Sequence, residues 1–91
     1  MKTLKNPVTV DVTFEPKHYN RNCGCNIPAA WTARVVSGVP EIDDPENEEY
    51  EERFGYPKCR IYAMGGSRGE AISLLGRELR EFGYTGKMRA L

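Results

Sequence analysis

The sequence contains no long hydrophobic run, and this absence excludes several classes of protein. No stretch approaches the ~20 apolar residues that a membrane-spanning helix needs. Residues 1–7 are polar and lack the apolar core of a secretory signal, so we expect a cytoplasmic protein that does not contact a membrane. The sequence also shows no internal repeat and no low-complexity tract.

Histidine and cysteine are scarce. The chain has one histidine, His18, and three cysteines, an odd number that leaves at least one thiol unpaired and favours a reducing setting. Nucleophilic catalysis needs a base within reach of the nucleophile. His18 with Cys23 or Cys25 is the only such pair in the sequence. We therefore expect a protein that is not an enzyme.

What is present suits one small soluble domain. The chain has 91 residues, of which 40% are hydrophobic and 29% are charged, a composition typical of globular proteins. A chain of this length forms a single domain, residues 1–91, with a small core. Its 13 Lys and Arg residues balance its 13 Asp and Glu residues, so the formal net charge is zero.

The zero net charge conceals a strong asymmetry along the chain. Residues 41–52, which we call the acidic segment, contain eight acidic residues and no basic residue. The rest of the chain therefore has 13 basic residues against five acidic ones. Such a run is usually a solvated helix face, but carboxylates also bind arginine and lysine. The acidic residues of the segment are Glu41, Asp43, Asp44, Glu46, Glu48, Glu49, Glu51 and Glu52.

Two kinds of periodicity predict the secondary structure. Residues 8–14 and 30–37 alternate between apolar and polar side chains, as half-buried strands do, and residues 58–64 form a third such run. Residues 68–82 have apolar side chains at helical spacing after a capping box of Ser67 and Glu70, which predicts a long helix. Residues 15–28 are predicted as a long loop, and residues 87–91 are a further candidate strand.

These elements predict an α+β fold built as a two-layer sandwich. A three-stranded antiparallel sheet would be covered by one long C-terminal helix. A short acidic helix or loop would be inserted before the third strand, with Asp44 as its N-cap, Pro45 as its first residue and Gly55 beyond its end. Tyr50 and Phe54 are four residues apart, so they would dock one side of this helix on the core.

Residues 61–84 resemble part of a known family. The strand, the glycine turn and the pattern Gly-x-Ser-x-x-Glu-Ala, here Gly65, Ser67, Glu70 and Ala71, are similar to the strand-to-helix half of HicB-type antitoxins. The resemblance covers about a quarter of the chain, and it implies a sheet-plus-helix fold and an antitoxin role. The first hairpin and the acidic segment depart from the family's pattern.

The first functional prediction is a small non-catalytic protein-binding module. It would use the acidic segment to inhibit or sequester a larger protein with a basic surface, as an antitoxin or a phage anti-defence (anti-CRISPR-like) inhibitor does. A homodimer is a further candidate assembly. The partner-binding residues would be Asp43, Asp44, Glu46, Glu48, Glu49, Glu51 and Glu52.

A nucleic-acid-binding domain is the first alternative. Its open sheet face would carry Arg34, Arg60 and Tyr62, joined by Arg21 from the loop. Bases stack on aromatic side chains while basic residues contact the backbone, so this combination suits single-stranded nucleic acid.

A zinc-stabilised structural domain is the second alternative. His18, Cys23, Cys25 and Cys59 are four ligands of the kinds that zinc prefers, and a metal would order the long loop. Cys59 could instead be a free thiol that faces the core. A disulfide between Cys23 and Cys25 is disfavoured, because a single intervening residue strains its geometry. We expect no other cofactor.

Overall fold

A computed structural model describes residues 2–4 and 6–91 of the chain. Strands and helices both contribute to it, so the predicted α+β class is confirmed. The strands are β1 (Lys2–Thr3), β2 (Val8–Glu15), β3 (His18–Asn20), β4 (Cys25–Ile27), β5 (Ala30–Ser37), β6 (Tyr62–Gly65), β7 (Tyr84–Thr85) and β8 (Met88–Ala90). The helices are α1 (Pro40–Asp43), α2 (Pro45–Phe54) and α3 (Arg68–Glu81).

The central sheet has four strands in the order β6–β5–β2–β8. β2 pairs antiparallel with β5, and β5 pairs antiparallel with β6, in agreement with the alternation of the sequence. The prediction of a three-stranded antiparallel sheet is wrong, because β8 returns after α3 and pairs in parallel with β2. This pairing places Val8 opposite Met88 and Val10 opposite Ala90, which makes the sheet mixed.

The helical layer also differs from the prediction. α3 packs against β2, β5, β6 and β7, while the short helix α1 packs against β5. The sheet is therefore not covered by one long C-terminal helix alone. A separate parallel pair joins β1 to β7, so the chain before β2 contacts the chain just after α3.

The core lies between the central sheet and α3. Apolar side chains at alternate positions of β2 and β5 share one face of the sheet, and they meet a stripe on α3 in which every fourth residue is apolar. The buried hydrophobic residues are Val8, Val10, Ala33, Val35, Val39, Ile61, Ala63, Ala71, Leu75, Leu79 and Tyr84. Arg34 and Tyr62, which alternate with the buried residues of β5 and β6 and so lie on the opposite face of the sheet, are exposed.

The start of α3 follows its capping residues. The Ser67 hydroxyl accepts a hydrogen bond from the backbone N–H of Glu70 at 3.1 Å. In return, the Glu70 carboxylate accepts one from the N–H of Gly66 at 3.3 Å. These bonds satisfy N–H groups that have no partner inside the helix. Gly83 follows with a φ of 90°, a left-handed conformation that glycine adopts without steric cost. The predicted long helix is confirmed.

The predicted loop at residues 15–28 contains a second pair of strands. β3 and β4 pair antiparallel and extend the β2–β5 hairpin, with Asn20 opposite Cys25 at the last register position before the turn. We call residues 16–29 the arm. Each of these strands has only three residues, too few for the alternation to be visible in the sequence.

The helices of the described residues 2–4 and 6–91 include none that is both long enough and apolar enough to cross a membrane.

Candidate functional site

The first two carboxylates of the acidic segment bind groups that lie outside the segment. Glu41 accepts a hydrogen bond of 2.6 Å from the hydroxyl of the buried Tyr84, which follows it by 43 residues in the chain. This hydrogen bond, together with burial, raises the pKa of the Tyr84 hydroxyl above its ordinary value. Asp43 accepts hydrogen bonds from the N–H of Gly38 at 3.0 and 3.2 Å and closes the turn after β5.

The next two carboxylates fix the start of α2. Asp44 is the N-cap, and its side chain accepts a hydrogen bond from the N–H of Glu46 at 3.0 Å, while Pro45 occupies the first helical position. Glu46 lies 3.7 Å from the ammonium group of Lys58. Gly55 ends the helix with a φ of 82°. The structure therefore confirms a helix with the predicted caps, α2, while residues 41–43 of the acidic segment belong to α1.

A buried asparagine anchors α2 to the rest of the protein. The side-chain oxygen of Asn47 accepts a hydrogen bond from the N–H of Cys59 at 2.8 Å. Its amide nitrogen donates to the carbonyl oxygens of Cys59 and Ile42, both at 3.4 Å. Asn47 is the buried residue of α2, whereas Phe54 is 50% exposed. The prediction that Tyr50 and Phe54 dock the helix on the core is therefore wrong.

The last four carboxylates have no such structural task. Glu48, Glu49, Glu51 and Glu52 are all exposed, and their side chains form no ion pair or hydrogen bond with any residue that the structure describes. Helical geometry places Glu48 and Glu52 one turn apart, with Glu49 beside them. We call these four residues the acidic surface. Four adjacent carboxylates create a negative potential that attracts cationic groups.

Three aromatic rings lie close together along the second half of α2 and just beyond its end. The ring centroids of Tyr50 and Phe54 are 4.5 Å apart, and the ring of Tyr56 lies 5.7 Å from Tyr50 and 6.4 Å from Phe54. Phe54 and Tyr56 are each about half exposed, and the Arg53 guanidinium lies 5.4 Å from the Phe54 ring centroid. We call Tyr50, Phe54 and Tyr56 the aromatic cluster. The spacing of Tyr50 and Phe54 was its only sequence signal, and it pointed to the core.

The open sheet face brings together the three residues predicted to bind nucleic acid. Arg34 lies opposite Tyr62 across the β5–β6 pair, and the guanidinium of Arg60 lies 5.6 Å from the Tyr62 ring centroid. However, Arg34 also forms an ion pair of 3.3 Å with Asp11, which neutralises one cation of the face. Arg21 belongs to the arm rather than to the sheet.

The four predicted zinc ligands are not gathered at one place. Cys23 and Cys25 form a disulfide, with their Cα atoms 5.4 Å apart, so the prediction against this bond is wrong. Gly24 between them has a φ of 67°, and this left-handed turn brings the two cysteines together. Cys59 lies beside Asn47 instead. Across residues 2–4 and 6–91, no group of three or more His, Cys, Asp or Glu side chains could hold a metal ion.

The two remaining predicted ligands have other surroundings. Cys59 is a free, partly buried thiol, and its pKa is raised by burial and by the nearby carboxylate of Glu41. His18 is exposed at the start of β3, where its Nδ1 atom lies 3.2 Å from the carbonyl oxygen of Pro16.

Comparisons with family models, with curated proteins and with solved structures found no match to this chain. The resemblance of residues 61–84 to HicB-type antitoxins therefore stays a prediction, and the function has to be inferred from the surface of the molecule itself.

Proposed function

We propose that this protein is a non-catalytic binding module that docks through α2 onto a basic surface of a larger protein. By occupying that surface it would inhibit or sequester its partner, in the manner of an antitoxin or a phage anti-defence inhibitor. One observation carries the proposal. Four exposed carboxylates without structural partners lie on α2, which also carries Tyr50 and the half-exposed Phe54 of the aromatic cluster.

The combination of charge and aromatic surface is what supports protein binding. Protein interfaces are enriched in tyrosine, phenylalanine and tryptophan at their centres, while charged residues form a rim that steers association. Phe54 and Tyr56 are each about half exposed, so both rings leave apolar surface in contact with water. Solvation of a charged helix face does not explain such apolar surface. Phe54 and Tyr56 would supply apolar contact area, and the acidic surface would make binding selective for a partner with a basic surface.

The rigidity of α2 supports the same conclusion. The helix is capped at both ends by Asp44 and Gly55 and is anchored by the three hydrogen bonds of Asn47. A surface that is ordered before binding loses less conformational entropy when the partner arrives. The open sheet face is a weaker candidate, because Asp11 neutralises Arg34 and Arg60 already stacks on Tyr62.

Paired charge reversals test the proposal. We would compare the wild type with E48K/E52K on the acidic surface and with E15K/E81K, a control that makes the same change of charge elsewhere. Glu15 ends β2 and Glu81 ends α3, and both are exposed. Each protein would be immobilised, the partner recovered from cells of the native host, and its affinity measured with purified components at two salt concentrations.

The expected result is selective loss of binding. E48K/E52K should weaken the affinity about 10-fold, chiefly by slowing association, because reversing charges at the rim of an interface removes electrostatic steering. The control should bind like the wild type, and added salt should weaken the wild type. Equal binding by E48K/E52K and the control would remove the acidic surface from the proposal, and a wild type that recovers no protein would contradict the function.

A further inference from the structure

The tip of the arm presents a disulfide to solvent. Cys23 and Cys25 are both exposed, and the turn that carries them connects β3 to β4. The turn is also closed by hydrogen bonds, since the N–H of Gly24 donates to the carbonyl oxygen of Asn20 at 2.9 Å and the N–H of Asn22 donates to the Asn20 side chain at 2.9 Å. Because both cysteines are exposed, their sulfur atoms are open to attack by a reagent in solution.

The charged residues of the arm are basic, and Arg21 lies two residues before Cys23. Residues 16–29 contain Lys17 and Arg21 and no acidic residue. Positive charge near a cysteine stabilises its thiolate form, which is both the nucleophile and the leaving group of thiol–disulfide exchange. The charge of the arm is thus opposite in sign to that of α2, which is rich in acidic residues.

The covalent loop is too small for the disulfide to serve as a major structural brace. A disulfide stabilises a fold chiefly by restricting the unfolded chain, and the effect grows with the number of residues in the loop. Only Gly24 lies between the two cysteines. The hydrophobic core contains no residue of the arm, so opening this bond leaves the packing of the body intact.

Cys59 provides an internal comparison within the same protein. It is partly buried, its backbone N–H is bound by Asn47, and burial raises the pKa of its thiol. A thiol of this kind is a poor nucleophile at neutral pH. The exposed pair and the shielded single cysteine should therefore behave differently towards the same reagent.

We propose that Cys23 and Cys25 form a thiol–disulfide exchange site whose reaction partner is an external thiol. The thiolate of the partner attacks one of the two sulfur atoms, a mixed disulfide forms, and the other cysteine leaves as a thiolate that takes up a proton. A second partner thiolate then attacks the partner's sulfur in the mixed disulfide, and the attached cysteine leaves as a thiolate that takes up a proton. The site has gained two electrons and two protons, and two partner thiols have become one disulfide. The reverse reaction uses an oxidised partner disulfide.

Reduction changes the arm and leaves the body unchanged. The turn keeps its hydrogen bonds to Asn20 but loses its covalent closure. The Sγ atom of Cys23 lies 3.8 Å from the carbonyl oxygen of Asn20, so the reduced thiol finds an acceptor there. This site is separate from the acidic surface, and its test does not depend on the proposed protein partner.

The test uses the full chain as the wild type and as C59S, C23S and C25S. Each protein is equilibrated with mixtures of reduced and oxidised glutathione, quenched with acid, alkylated and weighed as an intact molecule. In a parallel series a reduced thioredoxin-type dithiol protein replaces glutathione. Far-ultraviolet circular dichroism records whether the body remains folded throughout.

The wild type should carry one alkylated thiol when Cys23 and Cys25 are oxidised and three when they are reduced. C59S should carry none and two, respectively. The ratio of the reduced to the oxidised Cys23–Cys25 pair should be proportional to the glutathione redox ratio. This redox ratio is the square of the reduced glutathione concentration divided by the concentration of oxidised glutathione, because two electrons are transferred. C23S and C25S should each trap a single glutathione on the remaining arm cysteine and none on Cys59. If only the dithiol protein reduces the pair, the partner thiol belongs to a protein. A pair that neither reagent reduces, or that is never oxidised, overturns the proposal.

Discussion

The two halves of the acidic segment look alike in sequence but have opposite roles. Glu41, Asp43, Asp44 and Glu46 bind a tyrosine hydroxyl, backbone N–H groups and a lysine, so they serve the fold. Glu48, Glu49, Glu51 and Glu52 bind nothing in the described part of the chain and are turned to solvent. A carboxylate becomes structural when a donor lies within its reach. A run of like charges is therefore not a functional unit until its partners are known.

The largest effect that bears on this comparison should come from Asn47, which lies between the two halves. Replacing it with Ala leaves the N–H of Cys59 and the carbonyl of Ile42 without their partner, and leaving such groups unsatisfied costs about 2 kcal/mol. We expect N47A to lower the free energy of unfolding by that amount in chemical denaturation. N26A, which truncates an exposed asparagine of the arm, is the control and should behave like the wild type.

N47A also tests whether the anchor matters for binding. Because the acidic surface keeps its sequence in this variant, any loss of partner affinity would come from a less ordered α2. An unchanged unfolding free energy would show that another contact holds the helix, and the division of the segment at Asn47 would then be wrong.

An intermediate effect should appear as a dependence of stability on alkaline pH. Tyr84 has a pKa raised above its ordinary value of 10.0 in the folded protein, first by its hydrogen bond to Glu41 and then by burial. The folded state therefore holds this proton more tightly than the unfolded chain does. The resulting stabilisation is fully present below the unfolded pKa and is lost as the pH rises through the folded pKa.

Chemical denaturation of the wild type and Y84F above and below pH 10 would measure the contribution of the Tyr84 hydroxyl to the free energy of unfolding. Y84F should be less stable than the wild type near neutral pH, and the difference should shrink in alkali. Cys59 and Tyr50 also have raised pKa values, so Y84F should retain part of the alkaline loss. A constant difference between the two proteins at every pH would show that Glu41 and Tyr84 are not linked.

The parts of the fold that follow from sequence are those in which a periodic pattern extends over many residues or a capping residue marks the end of a helix. The alternation in β2 and β5 and the stripe and capping box of α3 each extend over enough residues to be unambiguous. The N-cap at Asp44 and the glycine at Gly55 likewise predicted both ends of α2. Such signals are local, because the residues that make the bond are close together in the chain.

The features that the sequence did not predict depend on distant or very short segments. Residues 87–91 were a candidate strand, but the parallel partner of β8, β2, lies at the other end of the chain, so no local pattern reveals that β8 joins the sheet as its fourth strand. The role of Asn47 depends on Cys59, twelve residues away. The aromatic cluster was missed because Tyr56 lies beyond the end of α2, after Gly55, whose backbone is left-handed.

The smallest effect on stability should come from the acidic surface itself. We expect E48Q/E49Q/E51Q/E52Q to change the free energy of unfolding by no more than about 0.5 kcal/mol, as exposed substitutions usually do. The change should favour folding, because like charges three and four residues apart on a helix repel each other. The same variant should lose affinity for the partner that the wild type recovers. Replacing Asp43 and Asp44 with asparagine is the matched comparison, because Asp43 and Asp44 accept backbone hydrogen bonds. If the four glutamines destabilise the protein by more than the two asparagines, the acidic surface is structural as well, and the inference that its charges are kept for a partner loses its basis.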